Sequence, residues 1–107
     1  MKYIVLSFDD GRYDFVKNAM PVLIAGRIPA TLNVITGVLD GKTQLNGFSS
    51  EKKFIDENDL LFIQNNNFEI ANHSSKHTNN VGDIKTALSY LQNRLNLKKI
   101  GFASPHS

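Results

Sequence analysis

The apolar residues of this chain fall into two kinds of run, short continuous ones and longer ones with helical spacing. Tyr3 to Phe8 is almost unbroken in its hydrophobicity, as in a strand buried on both faces. It stops at Asp9-Asp10-Gly11. From Tyr13 to Gly26, Phe15, Ala19, Val22 and Leu23 recur at helical spacing. Pro21 lies inside that span and ends its first turns or kinks it, and Gly26 is a natural stop. Ala30 to Thr36 is β-branched and apolar, a second strand. Gly37 to Phe54 has three glycines, two adjacent serines and little periodicity, and reads as a loop.

Asp56 can cap a helix whose first turn carries Glu57 and Asp59, acids well placed for the helix dipole. That helix runs through Leu60 and Ile63 to the asparagines at 65–67, which tolerate a left-handed backbone. Phe68 to Ala71 is a third strand, opening onto Asn72-His73-Ser74-Ser75-Lys76-His77. Between Asp83 and Leu97, the residues Ile84, Ala87, Leu88, Leu91 and Leu95 form one apolar helix face. Ile100 to Ala103 is a fourth strand, followed by Pro105. Strands alternating with helices predict an α/β fold with parallel strands and crossover helices. Chemistry in such folds gathers beyond the carboxy-terminal strand ends. Asp9-Asp10, His73 and Pro105-His106 all fall there.

Composition narrows this picture by exclusion. A chain of 107 residues is read as one domain, 1–107. With 41% hydrophobic and 21% charged residues it is ordinary for a globular protein. A net charge of +2, with Lys52-Lys53 and Lys98-Lys99 the only basic pairs, gives no nucleic-acid footprint. The absence of cysteine excludes disulfides and thiolate metal sites. No apolar run reaches membrane-spanning length. The amino terminus reads as the start of a strand, too short in its apolar run for a signal peptide. Localisation therefore stays open between a cytoplasmic protein and a chain that starts after its export signal.

Two clusters carry candidate chemistry. Adjacent carboxylates at Asp9 and Asp10 repel each other and are costly to desolvate, and a divalent cation would offset this. Neighbours on an extended chain point opposite ways, so one can ligate while the other works on a water. The competing reading is a solvated Asp-Gly turn. His73 and His77, four apart, can face one ion from a helical turn. Imidazole suits zinc, cobalt, nickel and iron better than calcium or magnesium. The competing reading is a pair of surface histidines.

Taken together, these segments resemble the polysaccharide deacetylase family, that is, the NodB-homology domain or carbohydrate esterase family 4. Ser7-Phe8-Asp9-Asp10-Gly11 is similar to its first signature, Thr-Phe-Asp-Asp-Gly. Asn72 to His77 is similar to the second, His-Ser/Thr-x-x-His, often preceded by Asn. Arg27-Ile28-Pro29-Ala30-Thr31 resembles a Gly-Ile-Pro-Ala-Thr lead into the second strand, and Phe68 to His73 resembles His-Glu-Ile-Gly-Asn-His. Phe102 to Ser107 matches the third signature, Arg-x-Pro-Tyr-Gly, at Pro105. Ala103 stands where that signature often has arginine, and His106-Ser107 stand where it has Tyr-Gly.

The resemblance implies a partial (β/α) barrel lacking its carboxy-terminal part. It implies Asp10, His73 and His77 as ligands of one divalent metal, zinc first, with cobalt, nickel or iron as alternatives. Asp9 would be the general base. Pro105 and His106 would line the oxyanion site and substrate groove, the backbone N–H of His106 facing the oxyanion; the competing reading of His106 is a frayed terminal residue. The arginine missing at 103 usually contacts the catalytic aspartate, which leaves the tuning of Asp9 open.

The implied activity is removal of acetyl groups from an acetylated polysaccharide, either an N-acetylglucosamine polymer or an O-acetylated glycan. The family's later signatures, including a histidine general acid, have no counterpart here. Two further expectations follow: poor turnover of amide substrates, and self-association, such as a dimer completing the half-barrel, unless the chain is part of a longer one. An impaired metal-binding or glycan-binding domain is the alternative class. A haloacid-dehalogenase-type phosphotransferase would need aspartates two residues apart, a place that Gly11 occupies.

Overall fold

The computed structural model describes residues 4–39 and 53–106. Most of the loop expected between Gly37 and Phe54 lies outside them, as does Ser107.

The first apolar run forms its strand later than its hydrophobicity suggests. Strand β1 is Leu6–Asp10, and Ile4 and Val5 remain outside it, 84% and 85% exposed. Pairing sets this limit. Strand β2, Ala30–Val34, runs parallel to β1 with Leu6 opposite Ala30 and Asp10 opposite Val34. Pro29, with no N–H, precedes Ala30, so Ile4 and Val5 have no ladder to join. Both aspartates are thereby drawn into the strand, Asp9 beside Asn33 and Asp10 beside Val34.

The predicted helix over 13–26 is interrupted. Phe15–Ala19 forms a π-helical turn, and α-helix α1 then runs Met20–Gly26. Pro21 explains the change: it has no N–H for the carbonyl four residues back, and its ring crowds that carbonyl. The Met20 N–H reaches back five residues to the Phe15 carbonyl, widening the turn so that the helix continues. Gly26 is the last helical residue rather than the stop. Arg27 takes the left-handed cap position, at φ 53°.

β2 is shorter than expected, because Thr36–Val38 forms a 3-10 turn. There the Thr36 and Gly37 N–H groups donate to the Ser74 and Ser75 carbonyls at 3.1 and 2.9 Å. Helix α2, Glu57–Asn65, starts as its sequence predicts. Asp56 accepts from the Asp59 N–H at 2.9 Å, and the Asp59 carboxylate accepts from the Asp56 N–H at 3.0 Å. Asn67 supplies the left-handed residue beyond it. Strand β3, Glu69–Asn72, adds to β2 in parallel, giving the order β1-β2-β3.

Helix α3 is Val81–Leu95, capped by Asn80 and closed by a left-handed Asn96. Its predicted face is inward: Ala87, Leu91 and Leu95 are buried, and Ile84 and Leu88 half-buried. The fourth strand expected at 100–103 is reduced to one parallel bridge between Asn72 and Phe102. Asn72 bonds both Gly101 and Ala103, but the next ladder bond on that side would need an N–H from Pro105, which has none, so pairing does not propagate.

The core lies between this sheet and the helices. Leu32, Val34, Ile55, Leu60, Ile63 and Leu91 have no exposure. Each such side chain stabilises the fold by roughly 1.5–3 kcal/mol. Phe8, Phe15 and Phe68 form an edge-to-face series, with ring centroids 5.0 and 5.7 Å apart. The fold is α/β with parallel strands alternating with helices in an open sheet, as expected. Among the described residues no helix is long and apolar enough to cross a membrane.

Candidate metal centre

Asp10 and Gly11, both at φ 78°, reverse the chain at the end of β1. Aspartate tolerates a left-handed backbone better than most residues, and such residues persist where the surroundings hold them. Space is not what demands glycine at 11: an added Cβ would meet Val34 at an ordinary 3.6 Å. The positive φ is what favours it. The Gly11 carbonyl accepts from the Ile55 N–H at 3.0 Å, which ties the turn to the entry of α2.

His73 follows β3 directly, its side chain only 4% exposed. Its Nδ1 lies 2.8 Å from the Ala103 carbonyl oxygen. A carbonyl can only accept, so Nδ1 carries the proton and Nε2 is left to face a ligand. His77 reaches the same place through an irregular loop, not the helical turn that its spacing suggests. Ser74 and His77 are both left-handed, at φ 67° and 59°. Asn72 Oδ1 accepts from the Ser74 N–H at 2.8 Å, and Ser74 Oγ accepts from the Thr78 N–H at 2.8 Å. Asp83 Oδ2 accepts from the Lys76 N–H and from Thr78 Oγ1, latching the loop to the first turn of α3. Ser74 thus holds this loop through both its backbone N–H and its hydroxyl. Lys76 contributes its backbone only, and its side chain is exposed.

The result is one cluster. Asp10 Oδ1 lies 3.5 Å from Nε2 of both His73 and His77. The three residues offer ligand atoms within 4.8 Å of one another. A separation of 3.5 Å is long for a hydrogen bond. It suits ligands of one ion: metal–ligand distances of about 2.0–2.2 Å in a tetrahedron place neighbouring ligand atoms about 3.4 Å apart. Two imidazole nitrogens and one carboxylate also match zinc or a similar transition metal in donor chemistry. The residues therefore fit the group.

Asp9 stands outside that cluster, as alternation along a strand requires. Its Oδ1 accepts from Asn33 Nδ2 at 2.9 Å. Asn33 is 6% exposed and was not singled out in the sequence; its signal is an amide side chain inside the apolar and β-branched run of β2. A cavity of about 440 Å³ opens on the Asp9 side rather than over the ligands, lined among others by Phe8, Arg12, Asp14 and Asn18. Pro105 is buried, and its carbonyl accepts from Asn79 Nδ2 at 3.1 Å. His106 packs its ring edge-on against His77, with centroids 4.4 Å apart.

Known proteins resemble this chain in sequence and in fold. Residues 1–103 match the family profile described as polysaccharide deacetylase. No protein of curated function shows a significant sequence match. Among solved structures, PplD, a deacetylase of Streptococcus pyogenes in complex with acetate, is similar at 25% identity and a TM-score of 0.78. The match covers 97% of this chain and 46% of that one. IcaB from Ammonifex degensii is similar at 22% identity and a TM-score of 0.81, over 98% and 51% of the two chains. The deacetylase domain of BpsB from Bordetella bronchiseptica is similar at 19% identity and a TM-score of 0.69, over 95% and 55%. This chain thus spans about half the length of the structures it matches. Its open parallel sheet corresponds to part of their fold.

Proposed function

Because the chain belongs to the polysaccharide deacetylase family, we propose that it takes part in metal-dependent hydrolysis of acetyl groups on an acetylated polysaccharide. Asp10, His73 and His77 hold one divalent ion in this reading, zinc by donor type. The observation that carries it is the placement of Asp10 Oδ1 3.5 Å from both imidazole Nε2 atoms. When bound, the ion would supply Lewis acidity to the acetyl carbonyl and to water.

The chain's own residues supply the rest. Asp9 acts as general base. Asn33 occupies its Oδ1, which leaves Oδ2 to take the proton from the attacking water. The oxyanion that forms on the acetyl carbonyl oxygen is met by the backbone N–H of His106, and buried Pro105 fixes the approach of that segment. Its collapse breaks the bond to the sugar nitrogen or oxygen, which takes up the proton that Asp9 removed from water. The substrate class is an N-acetylglucosamine polymer or an O-acetylated glycan. Acetate, held in the PplD structure, is what either would release. An ester needs no protonated amine as leaving group, so esters are the less demanding substrates.

A second reading is a domain that keeps the metal and binds glycan without turnover. Ala103 favours it, because a methyl group cannot hold Asp9 as an arginine would. The Asn33 contact favours the enzyme. Elemental analysis of the purified protein, with deacetylation of a chitin oligomer and an acetyl ester by wild type and Asp9→Asn, separates the two. The enzyme reading expects bound metal in both proteins and acetate release by wild type alone. Equal absence of release with metal bound would leave the binding domain.

A further inference from the structure

The two histidines of the cluster are held very differently. His73 is buried and its Nδ1–H is fixed on the Ala103 carbonyl. Ligand imidazoles ordinarily gain their orientation from such a bond on the second nitrogen. His77 makes no hydrogen bond through Nδ1 among the described residues. Its side chain is 32% exposed and it sits on an irregular loop with a left-handed backbone.

His106 supplies what that loop lacks. Its ring meets the His77 ring at 73°, with centroids 4.4 Å apart, an edge-to-face contact that restricts rotation. Its Nε2 lies 3.2 Å from the His77 carbonyl oxygen. That oxygen can only accept, so Nε2–H donates and the backbone of His77 is held as well as its ring. His106 is itself anchored. Pro105 before it is buried, the Pro105 carbonyl accepts from Asn79 Nδ2, and Ser104 Oγ donates to Asn79 Oδ1 at 2.9 Å. The segment 103–106 therefore touches both histidines, Ala103 through His73 and His106 through His77.

We propose that His106 is a positioning residue for the metal ligand His77, and that segment 103–106 presets both imidazoles for the ion. This rests on the metal reading above and adds to it a role for the His106 side chain, distinct from the oxyanion role of its backbone N–H. The segment does this without an arginine, through a carbonyl and a ring.

The test is zinc affinity, measured on the full chain by competition with a chromophoric chelator, for wild type, His106→Ala, His106→Phe and His73→Ala. The melting temperature of each metal-free protein is measured alongside. His106→Ala is expected to weaken zinc about tenfold or more, with the metal-free melting temperature unchanged, and to alter the visible absorption of the cobalt-loaded protein. Recovery in His106→Phe assigns the effect to the ring contact; no recovery assigns it to the carbonyl bond. Wild-type affinity in His106→Ala, with loss in His73→Ala, overturns the inference and leaves the metal reading standing. A weakening fully matched by loss of metal-free stability also overturns it, since the role is then structural. Wild type that holds no zinc removes the metal reading and this inference together.

Discussion

Asn33 and Asp9 are direct partners in the β1–β2 register, and the Asn33 amide donates to the Asp9 carboxylate at 2.9 Å. The contact comes from the neighbouring strand, not from the segment at 103 where the family often has arginine. Asp9 is exposed, so without this bond its carboxylate would rotate freely in solvent. Asn33→Leu is expected to lower kcat about tenfold, corresponding to about 1.4 kcal/mol for a hydrogen bond to a charged group. KM and zinc affinity should stay unchanged. Steady-state kinetics on an acetylated substrate, with a parallel zinc titration, checks this; an unchanged kcat counts against the assignment of Asn33.

If the proposed site binds metal, binding should stabilise the fold, because Asp10, His73 and His77 come from β1 and from the loop after β3. Zinc at a hundred times its dissociation constant adds about 2.7 kcal/mol. In a domain of this size that raises the melting temperature by roughly ten degrees or more. Differential scanning fluorimetry with zinc, then with excess chelator, should show the rise and its reversal. Asp10→Ala should abolish both.

Gly37 is needed for its closeness to the ligand loop. An added Cβ would sit 2.3 Å from the Ser75 carbonyl oxygen, a backbone atom that cannot step aside alone. Gly37→Ala is therefore expected to cost about 1–3 kcal/mol and to weaken zinc, since Ser75 lies between the two histidines. Urea unfolding of the metal-free protein measures the first effect and a zinc titration the second.

Away from the site, Tyr90 and Arg94 on α3 both contact the Glu57 carboxylate on α2. Burial, then the hydrogen bond and charge of Glu57, push the Tyr90 hydroxyl up from 10 to about 12. The folded state then holds a proton that the unfolded chain loses, so stability should fall as pH rises from about 10 to about 12. Glu57 runs the other way. The Tyr90 hydrogen bond lowers it most and Arg94 assists, so its contribution is present above the ordinary carboxylate range and is lost as pH falls. Tyr90→Phe should flatten the alkaline limb of a stability-versus-pH curve and shrink the acid limb as well, leaving only the part that Arg94 sustains.

Among the described residues β1 is an outer strand of the sheet, and the apolar Ile4 and Val5 beside it are exposed. Open edges of this kind invite pairing with another chain. Self-association is the expected outcome in size-exclusion chromatography with light scattering, and Val5→Lys should reduce it. A monomer at high concentration would remove the expectation.

Much of this arrangement was legible in the sequence because it is local. Helical spacing at Ile84, Ala87, Leu91 and Leu95 located α3, and Asp56 with Asp59 located the start of α2. Placing chemistry at strand ends put Asp10 and His73 in one region. What escaped depends on partners distant in sequence. The limits of β1 follow from where β2 begins, a fact that hydrophobicity at 3–8 does not carry. The fourth strand stops at a single bridge because Pro105 has no N–H for the next ladder bond, not because residues 100–103 lack strand character. His73 and His77 were read as a helical pair, yet two left-handed residues and four donated loop contacts bring them together. Asn33 needed the register, and His106 needed its packing against His77, 29 positions away.

Asn72 is buried, and its four polar groups are all engaged. The backbone N–H and carbonyl bond Gly101 and Ala103, and the side chain bonds Ser74 and the Ile84 carbonyl. Those contacts reach the His73–His77 loop, α3 and the segment that holds both imidazoles. The consequence is kinetic. With one node joining all three, the backbone that carries His73 opens only when α3 and the 103–106 segment let go of it together. An ion held as proposed above would then leave His73 only at the rate of that concerted opening, while His77, which Asn72 does not touch, would exchange faster.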